Sequence, residues 1–156
     1  MSRQWYGNIS NRLEEGRQFT DEIKVGTGIT EYGYSDRHPY EVIAVKDQKH
    51  ITIRRLDHKH IGDGCMDNNW ELISNPANAE IELVKRGNSW YQSQTCTAED
   101  ILKNDKEDDE KRLMFGLFLC GWGFDREKIL EKGKQTKFSK MNISIGRADY
   151  YYDYEF

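Results

Sequence analysis

Between Val25 and Tyr91 the chain is a succession of short apolar or alternating runs separated by polar, turn-like segments, and this pattern restricts the fold more than any other feature. Glu41-Val-Ile-Ala-Val45 is apolar, Lys46-Asp-Gln-Lys49 reads as a turn, and His50-Ile-Thr-Ile-Arg-Arg55 alternates. Together they give a hairpin signal. A second pair is expected from Trp70–Ile73 and Glu80–Val84, followed by a turn at Lys85–Asn88 and a run at Trp90-Tyr91. Runs of period two with short connections predict antiparallel strands.

The character changes at Thr97. Thr97-Ala-Glu-Asp100 has capping-box spacing, and Ile101, Leu102, Leu113, Leu117 and Phe118 follow, so a helix is expected over about 98–119, with a break inside the acidic run. Asp125 is placed to cap a second helix through Ile129 and Leu130 that stops at Gly133. Lys137 to Gly146 alternates through Met141, Ile143 and Ile145 as one closing strand. The expected fold class is therefore α+β: a curved antiparallel sheet or small barrel, a helical excursion at about 98–133, and a closing C-terminal strand. Residues 1–24 read as an N-terminal arm with one short helical turn around Asn11–Glu15, and 25–156 as a single domain.

The 156 residues suffice for about one domain. Only 37% are hydrophobic, yet Trp, Tyr and Phe make up 12%, so the core must draw on rings, and rings are left for stacking. The net charge of −4 argues against non-specific binding of duplex nucleic acid. Residues 99–110 carry seven acids and two lysines, which leaves the remainder near +1. Three cysteines, Cys65, Cys96 and Cys120, without CxxC spacing, fit a reducing compartment. The beginning MSRQWYGNIS is not an apolar signal segment, and the longest apolar stretch, Leu113–Cys120, is eight residues, against the roughly 20 of a membrane span. A cytoplasmic protein without membrane contact is expected.

Several constellations offer chemistry. Asp36-Arg37-His38 is expected in a loop, where Arg37 and His38 match phosphate oxygens or Asp36 and Arg37 pair to fix the loop. In the strand His50–Arg55, Ile51, Ile53 and Arg55 share a face; Arg55 then needs a partner or a ligand, whereas Arg54 is expected in solvent. His58-Lys-His60 with Asp63 and Cys65 superficially resembles a metal cluster, but the spacing matches no standard zinc pattern, and no metal or cofactor is expected. Asn69 and Trp70, in Met66-Asp-Asn-Asn-Trp70, present an amide beside a ring. That suits a purine edge and a stacked base, or else a turn with a core tryptophan. In the tail Tyr150-Tyr-Tyr-Asp-Tyr154 the tyrosines cannot all face inward if extended, so Tyr151 or its neighbours should meet a ligand or partner, with Arg147 as a stacking plane or phosphate clamp. No phosphate loop, GxSxG or HExxH is present, and a catalytic role gains no support.

The string Tyr34-Ser-Asp-Arg-His-Pro-Tyr-Glu-Val-Ile43, with Ile51–Arg55, Trp70-Glu-Leu-Ile-Ser-Asn-Pro76, Gly87–Tyr91 and Gly146-Arg-Ala-Asp-Tyr-Tyr-Tyr-Asp-Tyr-Glu-Phe156, resembles small proteins encoded by bacteriophages and prophages. That group is similar to the first described Thoeris anti-defence family. The resemblance covers about Val25 to the C-terminus. It implies a mixed strand and helix fold, a homodimer or higher homo-oligomer, and a pocket of arginine, aromatic and Asn side chains. It also implies a function: sequestering glycocyclic ADP-ribose or a cyclic oligonucleotide immune signal without cleaving it. Two alternatives remain open from the residues: inhibition of a host defence protein through the acidic segment, and nucleic-acid binding through Arg54, Arg55 and the rings. If the ligand reading holds, Trp70 and the tail tyrosines should meet at one pocket.

Overall fold

The structure, a computed structural model, describes residues 7–62, 64 and 67–154. The elements in chain order are α1 (Ile9–Glu14), β1 (Gly28–Tyr32), β2 (Arg37–Asp47), β3 (His50–Arg55), β4 (Asp57–His60), β5 (Trp70–Ile73), β6 (Glu80–Arg86), β7 (Ser89–Thr97), α2 (Ala98–Asn104), α3 (Asp109–Trp122), α4 (Arg126–Lys132), β8 (Lys134–Met141) and β9 (Ile143–Ile145). Seven strands form an α+β protein's main sheet in the order β8-β7-β6-β3-β2-β1-β9, and β4 and β5 form a two-stranded sheet. The chain divides into two compact units, residues up to 92 with those from 140 onward, and residues 93–139.

The sheet is curved, and chain connectivity requires it. Met141 ends one edge strand and Ile143 begins the opposite edge strand, so about 7 Å of backbone joins the two edges at that corner. Met141 and Ile143 both enter the main core with Ile23, Ile29, Tyr40, Val42, Ile51, Ile53, Leu83, Trp90 and Ile145. Apart from Ile23, which precedes β1, these are the alternate residues of their strands, as a half-buried sheet demands. The single closing strand expected at 137–146 is thus two strands on opposite edges, broken at Asn142, whose carbonyl accepts the Tyr32 N–H at 2.8 Å.

The segment before β1 is tied to the sheet along its length. The Asn8 N–H donates to Tyr34 O at 2.7 Å, Gly16 N–H to Ile143 O at 2.9 Å and Phe19 N–H to Ile145 O at 2.6 Å. Asn11 is 2% exposed because its amide donates to Gly33 O and Asp36 O and accepts from Arg37 Nε.

One strand pairing differs from the expectation, and so do the surroundings of Arg37, His38 and Arg54. Trp70–Ile73 pairs with β4, not β6; Asp-His-Lys-His has no apolar residue and so carries no strand signal. Arg37 and His38 lie inside β2 rather than in a loop. Arg54 is also not solvated: its side chain is 15% exposed and donates to Glu41 Oε1 at 3.0 Å, its cross-strand partner.

In the second unit the acidic run breaks the helix as expected. The Thr97–Asp100 capping box starts α2, and Asp108 caps α3 by accepting the Lys111 N–H. Asp125 caps α4 and Gly133, at φ 88°, ends it. A small core of Cys96, Ile101 and Ile129, with Phe115, Leu119 and Phe124 against it, holds these helices together. Among the described residues no helix is long and apolar enough to cross a membrane.

Candidate functional site

The site begins where the core face of β2 and β3 reaches its end. His38, Tyr40 and Val42 share a face by alternation, and Tyr40 and Val42 belong to the core. Tyr40 lies opposite Arg55, and His38 opposite Glu31. The face therefore ends in four polar side chains. The Tyr40 hydroxyl donates to Glu31 Oε2 at 2.8 Å, and Arg55 Nη2 lies 2.9 Å from His38 Nδ1. A guanidinium can only donate, so His38 accepts at Nδ1 and its neutral ring carries the proton on Nε2. Among the described residues Arg55 has no carboxylate within ion-pair distance, and it is exposed.

Just beyond Arg55, β4 presents His58 and His60 on one face, both against Trp70 of β5. Ring centroids are 5.2 Å apart for His58 and Trp70 and 4.9 Å for His60 and Trp70. From the far end of the sequence Tyr150 stacks on His58 at 3.7 Å and 11°, and meets Trp70 edge-on at 4.7 Å and 83°. Offset stacks and edge contacts are the favoured ring arrangements. Trp70 Nε1 donates to Asn68 Oδ1 at 3.1 Å, and that oxygen also accepts the Tyr152 N–H at 2.9 Å. The Asn68 amide returns a bond to Tyr152 O at 3.3 Å. One asparagine thereby clamps the indole and the tail backbone together. Asp36 Oδ1 accepts the Asp153 N–H at 2.7 Å, and His60 bonds Asp67, which also accepts the Gly64 N–H.

The electrostatics follow from these positions. Burial first, then the Arg55 guanidinium, holds the His38 imidazole below its ordinary pKa, with Glu31 and Asp36 opposing. The same two causes lower His58, against Asp57. Burial, with Asp36 beyond it, pushes the Tyr150 hydroxyl up. At neutral pH His38, His58 and Tyr150 are therefore neutral rings beside one guanidinium, which among the described residues keeps unused donors. That combination can stack a flat ring and hold an anionic group.

The sequence-derived residues separate into two groups. His38, Arg55 and Trp70 converge with Tyr150. Arg37, Tyr151 and Arg147 lie on the opposite side of β2. The Arg37 side chain is 14% exposed and donates to Asn11, Glu14, Asp149 and Ser10 at 2.7–3.2 Å. Four of its five N–H groups are thus held by the protein itself. It works as the pin between α1 and the C-terminal tail, the fixing role, and with a partner set different from the Asp36 expected. Arg147 lies over the Phe19 ring at 4.1 Å, with Nη2 3.3 Å from Glu14 Oε1. Tyr151 is 39% exposed and, with Asn8, Ser10, Asn11, Ser35 and Arg37, borders a cavity of about 180 Å³. Asn69 is exposed and contributes backbone bonds, its carbonyl accepting the Ile61 N–H at 3.0 Å.

Three residues of the site are not named individually as ligand-binding from sequence: His58 stands out only in the metal-like cluster, Asn68 only as part of the amide segment before Trp70, and Tyr150 only among the tail tyrosines expected to meet Trp70, which it does. Tail alternation contains the signal for Tyr150: once Tyr151 faces Arg37, Tyr150 must face the other way. Of the metal-like cluster, Asp63 and Cys65 lie outside the described residues, as does Met66; among the described residues no group of three ligating side chains is assembled. No protein-family model matches this chain, and neither a curated protein nor a solved structure does.

Proposed function

We propose that this chain binds a cyclic nucleotide or a glycocyclic ADP-ribose without cleaving it, acting in the cytoplasm of an infected bacterium as a phage-encoded trap for an immune signal. The observation that carries the reading is the convergence on one face of the Tyr150–His58 stack, the Trp70 edge and the Arg55 guanidinium, which among the described residues bonds His38 and has no carboxylate partner. Such a ligand presents flat bases and a few phosphates. Its binder needs ring faces and a fixed guanidinium, and stacking on an aromatic side chain is worth about 1–3 kcal/mol per base. A small ligand also tolerates the acidic net charge, because its affinity does not grow with many phosphate contacts as that of a long polyanion does. Of the segments that carry the resemblance to the phage-encoded group, His38 and Tyr150 lie on this face.

The test is depletion and recovery. Purified protein is incubated with a glycocyclic ADP-ribose or a cyclic oligonucleotide and filtered, and the retained protein is then heat-denatured. The reading expects the signal to vanish from the first filtrate and to return unaltered after denaturation. An undepleted filtrate for every nucleotide tried overturns the reading; loss without recovery replaces it with an enzyme.

A further inference from the structure

On the side of β2 away from the rings, Asn8, Ser10, Asn11, Ser35, Arg37 and Tyr151 border the cavity of about 180 Å³. The protein itself fixes these walls. The Asn8 N–H donates to Tyr34 O at 2.7 Å, the Asn11 amide donates to Gly33 O and Asp36 O at 3.2 Å each, and Arg37 is pinned by its four bonds. Ser35 is the group this frame leaves unexplained. It is 6% exposed, yet its hydroxyl has no hydrogen-bond partner among the described residues, and its oxygen opens to the cavity instead of being sealed in protein. Buried hydroxyls in native proteins are almost always bonded, and leaving one without a partner costs stability. Two neighbours add spare capacity. Asn8 Oδ1 accepts the Asn11 N–H at 2.8 Å, which leaves the Asn8 amide N–H groups without a partner among the described residues. Ser10 Oγ accepts from Arg37 Nη2 at 2.7 Å and keeps its own proton to donate.

The charges select the kind of ligand. Arg37 stands between Glu14 at 3.2 Å and Asp149 at 3.0 Å, so a phosphate would meet a guanidinium that two carboxylates already neutralise. Among the described residues no carboxylate borders the cavity, so a cation finds no counter-charge. We infer that this cavity binds one neutral sugar ring, with Ser35, Ser10 and Asn8 bonding its hydroxyls and the Tyr151 ring at the rim against its apolar face. A sugar hydroxyl both donates and accepts, as the serine hydroxyls do, so each pair can settle its own direction. A base edge instead fixes its donors and acceptors in one plane. The size agrees: 180 Å³ is the room of about six waters at about 30 Å³ each, which one sugar ring with its hydroxyls displaces. The ligand is either a free monosaccharide or the terminal residue of a glycan, and its binding is independent of any nucleotide on the ring face.

Titration of the full chain, followed by amide chemical shifts, tests the inference with D-glucose, D-galactose, D-mannose and D-ribose and with the methyl glycosides of the three hexoses. At least one is expected to saturate, with a Kd in the region of 1 mM, as suits about a dozen non-hydrogen atoms, and to move the amides of Asn8, Ser10, Ser35 and Tyr151. Binding of a methyl glycoside assigns the terminal residue of a glycan; binding of free sugars alone assigns the monosaccharide. Ser35→Ala should weaken that binding about fivefold or more, one hydrogen bond's worth, with an unchanged far-UV circular dichroism spectrum. Tyr151→Ala, a change at the exposed rim, should weaken it as well without touching the buried hydroxyl. A chain that saturates with none of these sugars holds water only and overturns the inference. Undiminished binding in both variants, or shifts confined to other residues, overturns it too.

Discussion

Arg37 and Tyr151 exchange both of their backbone hydrogen bonds, at 2.9 and 3.1 Å, in an isolated antiparallel bridge. The bridge lays the tail alongside β2 and sorts its side chains by parity. Tyr150 falls on the side of His38, Arg55 and Trp70, and Tyr151 on the side of Arg37 and α1. A face of aromatic rings around Arg55 and an anchoring face around Arg37 stand back to back across one pair of strands.

The two neighbouring arginines should therefore fail in different ways. Arg55→Ala is expected to reduce nucleotide affinity at least tenfold, by titration calorimetry, and to leave the melting temperature within about a degree, since surface substitutions change stability little. Arg37→Ala is expected to cost about 2–4 kcal/mol of stability, because it leaves Glu14 and Asp149 without their shared cation. Urea unfolding measures that loss. Equal stability for the two variants would refute the division of labour.

The pH response has a definite sign. His38 and His58 sit below their ordinary pKa in the folded protein, so the unfolded chain takes up protons first as the pH falls. Stability from these groups is present above the ordinary imidazole pKa and is lost as pH drops through it. Affinity for a phosphate-bearing ligand runs the other way, rising as pH falls from 8 toward 5.5, because each added imidazolium stands beside the anion. Binding isotherms across that range, compared with His58→Asn, should show the rise in the wild type and a smaller one in the variant.

Asn68 should matter through the tail rather than through contact with the ligand. Asn68→Ala removes the acceptor of Trp70 Nε1 and both bonds to Tyr152. Hydrogen exchange at the Tyr152 amide is expected to accelerate markedly, with exchange in β2 and β3 unchanged.

Gly28 is the point where the tail passes flush over β1. A Cβ there would lie 2.5 Å from Ala148 N and 2.8 Å from the Arg147 carbonyl carbon, both backbone atoms that cannot rotate away. Gly28→Ala should displace residues 147–148, and Tyr150 with them, lowering ligand affinity and melting temperature together. Retained affinity would mean that the stack does not depend on the tail's path.

The parts of this fold legible in the sequence are those set by local chemistry. Asp125 and Gly133 bracket α4, Thr97 and Asp100 open α2, and Ile51 and Ile53 face the core because alternation leaves them no other choice. The break between α2 and α3 was readable from the acids that cap it. Long-range pairing was not legible. Nothing in Lys137–Gly146 signals that Asn142 turns the chain from one edge strand to the other, and the all-polar β4 carries no strand signal. The candidate site was half legible for the same reason. Trp70 and Arg55 stand out as a ring and a cation in need of partners, but His58, Asn68 and Tyr150 gain meaning only when residues 84–92 positions apart are brought together.

The most direct test is a calorimetric titration of the purified chain with a glycocyclic ADP-ribose, alongside Trp70→Ala. Saturable binding at one equivalent per chain is predicted for the wild type, with affinity reduced about tenfold or more by Trp70→Ala, in keeping with about 1–3 kcal/mol for a lost stack. Wild-type affinity in the variant would contradict the assignment of this face as the binding site.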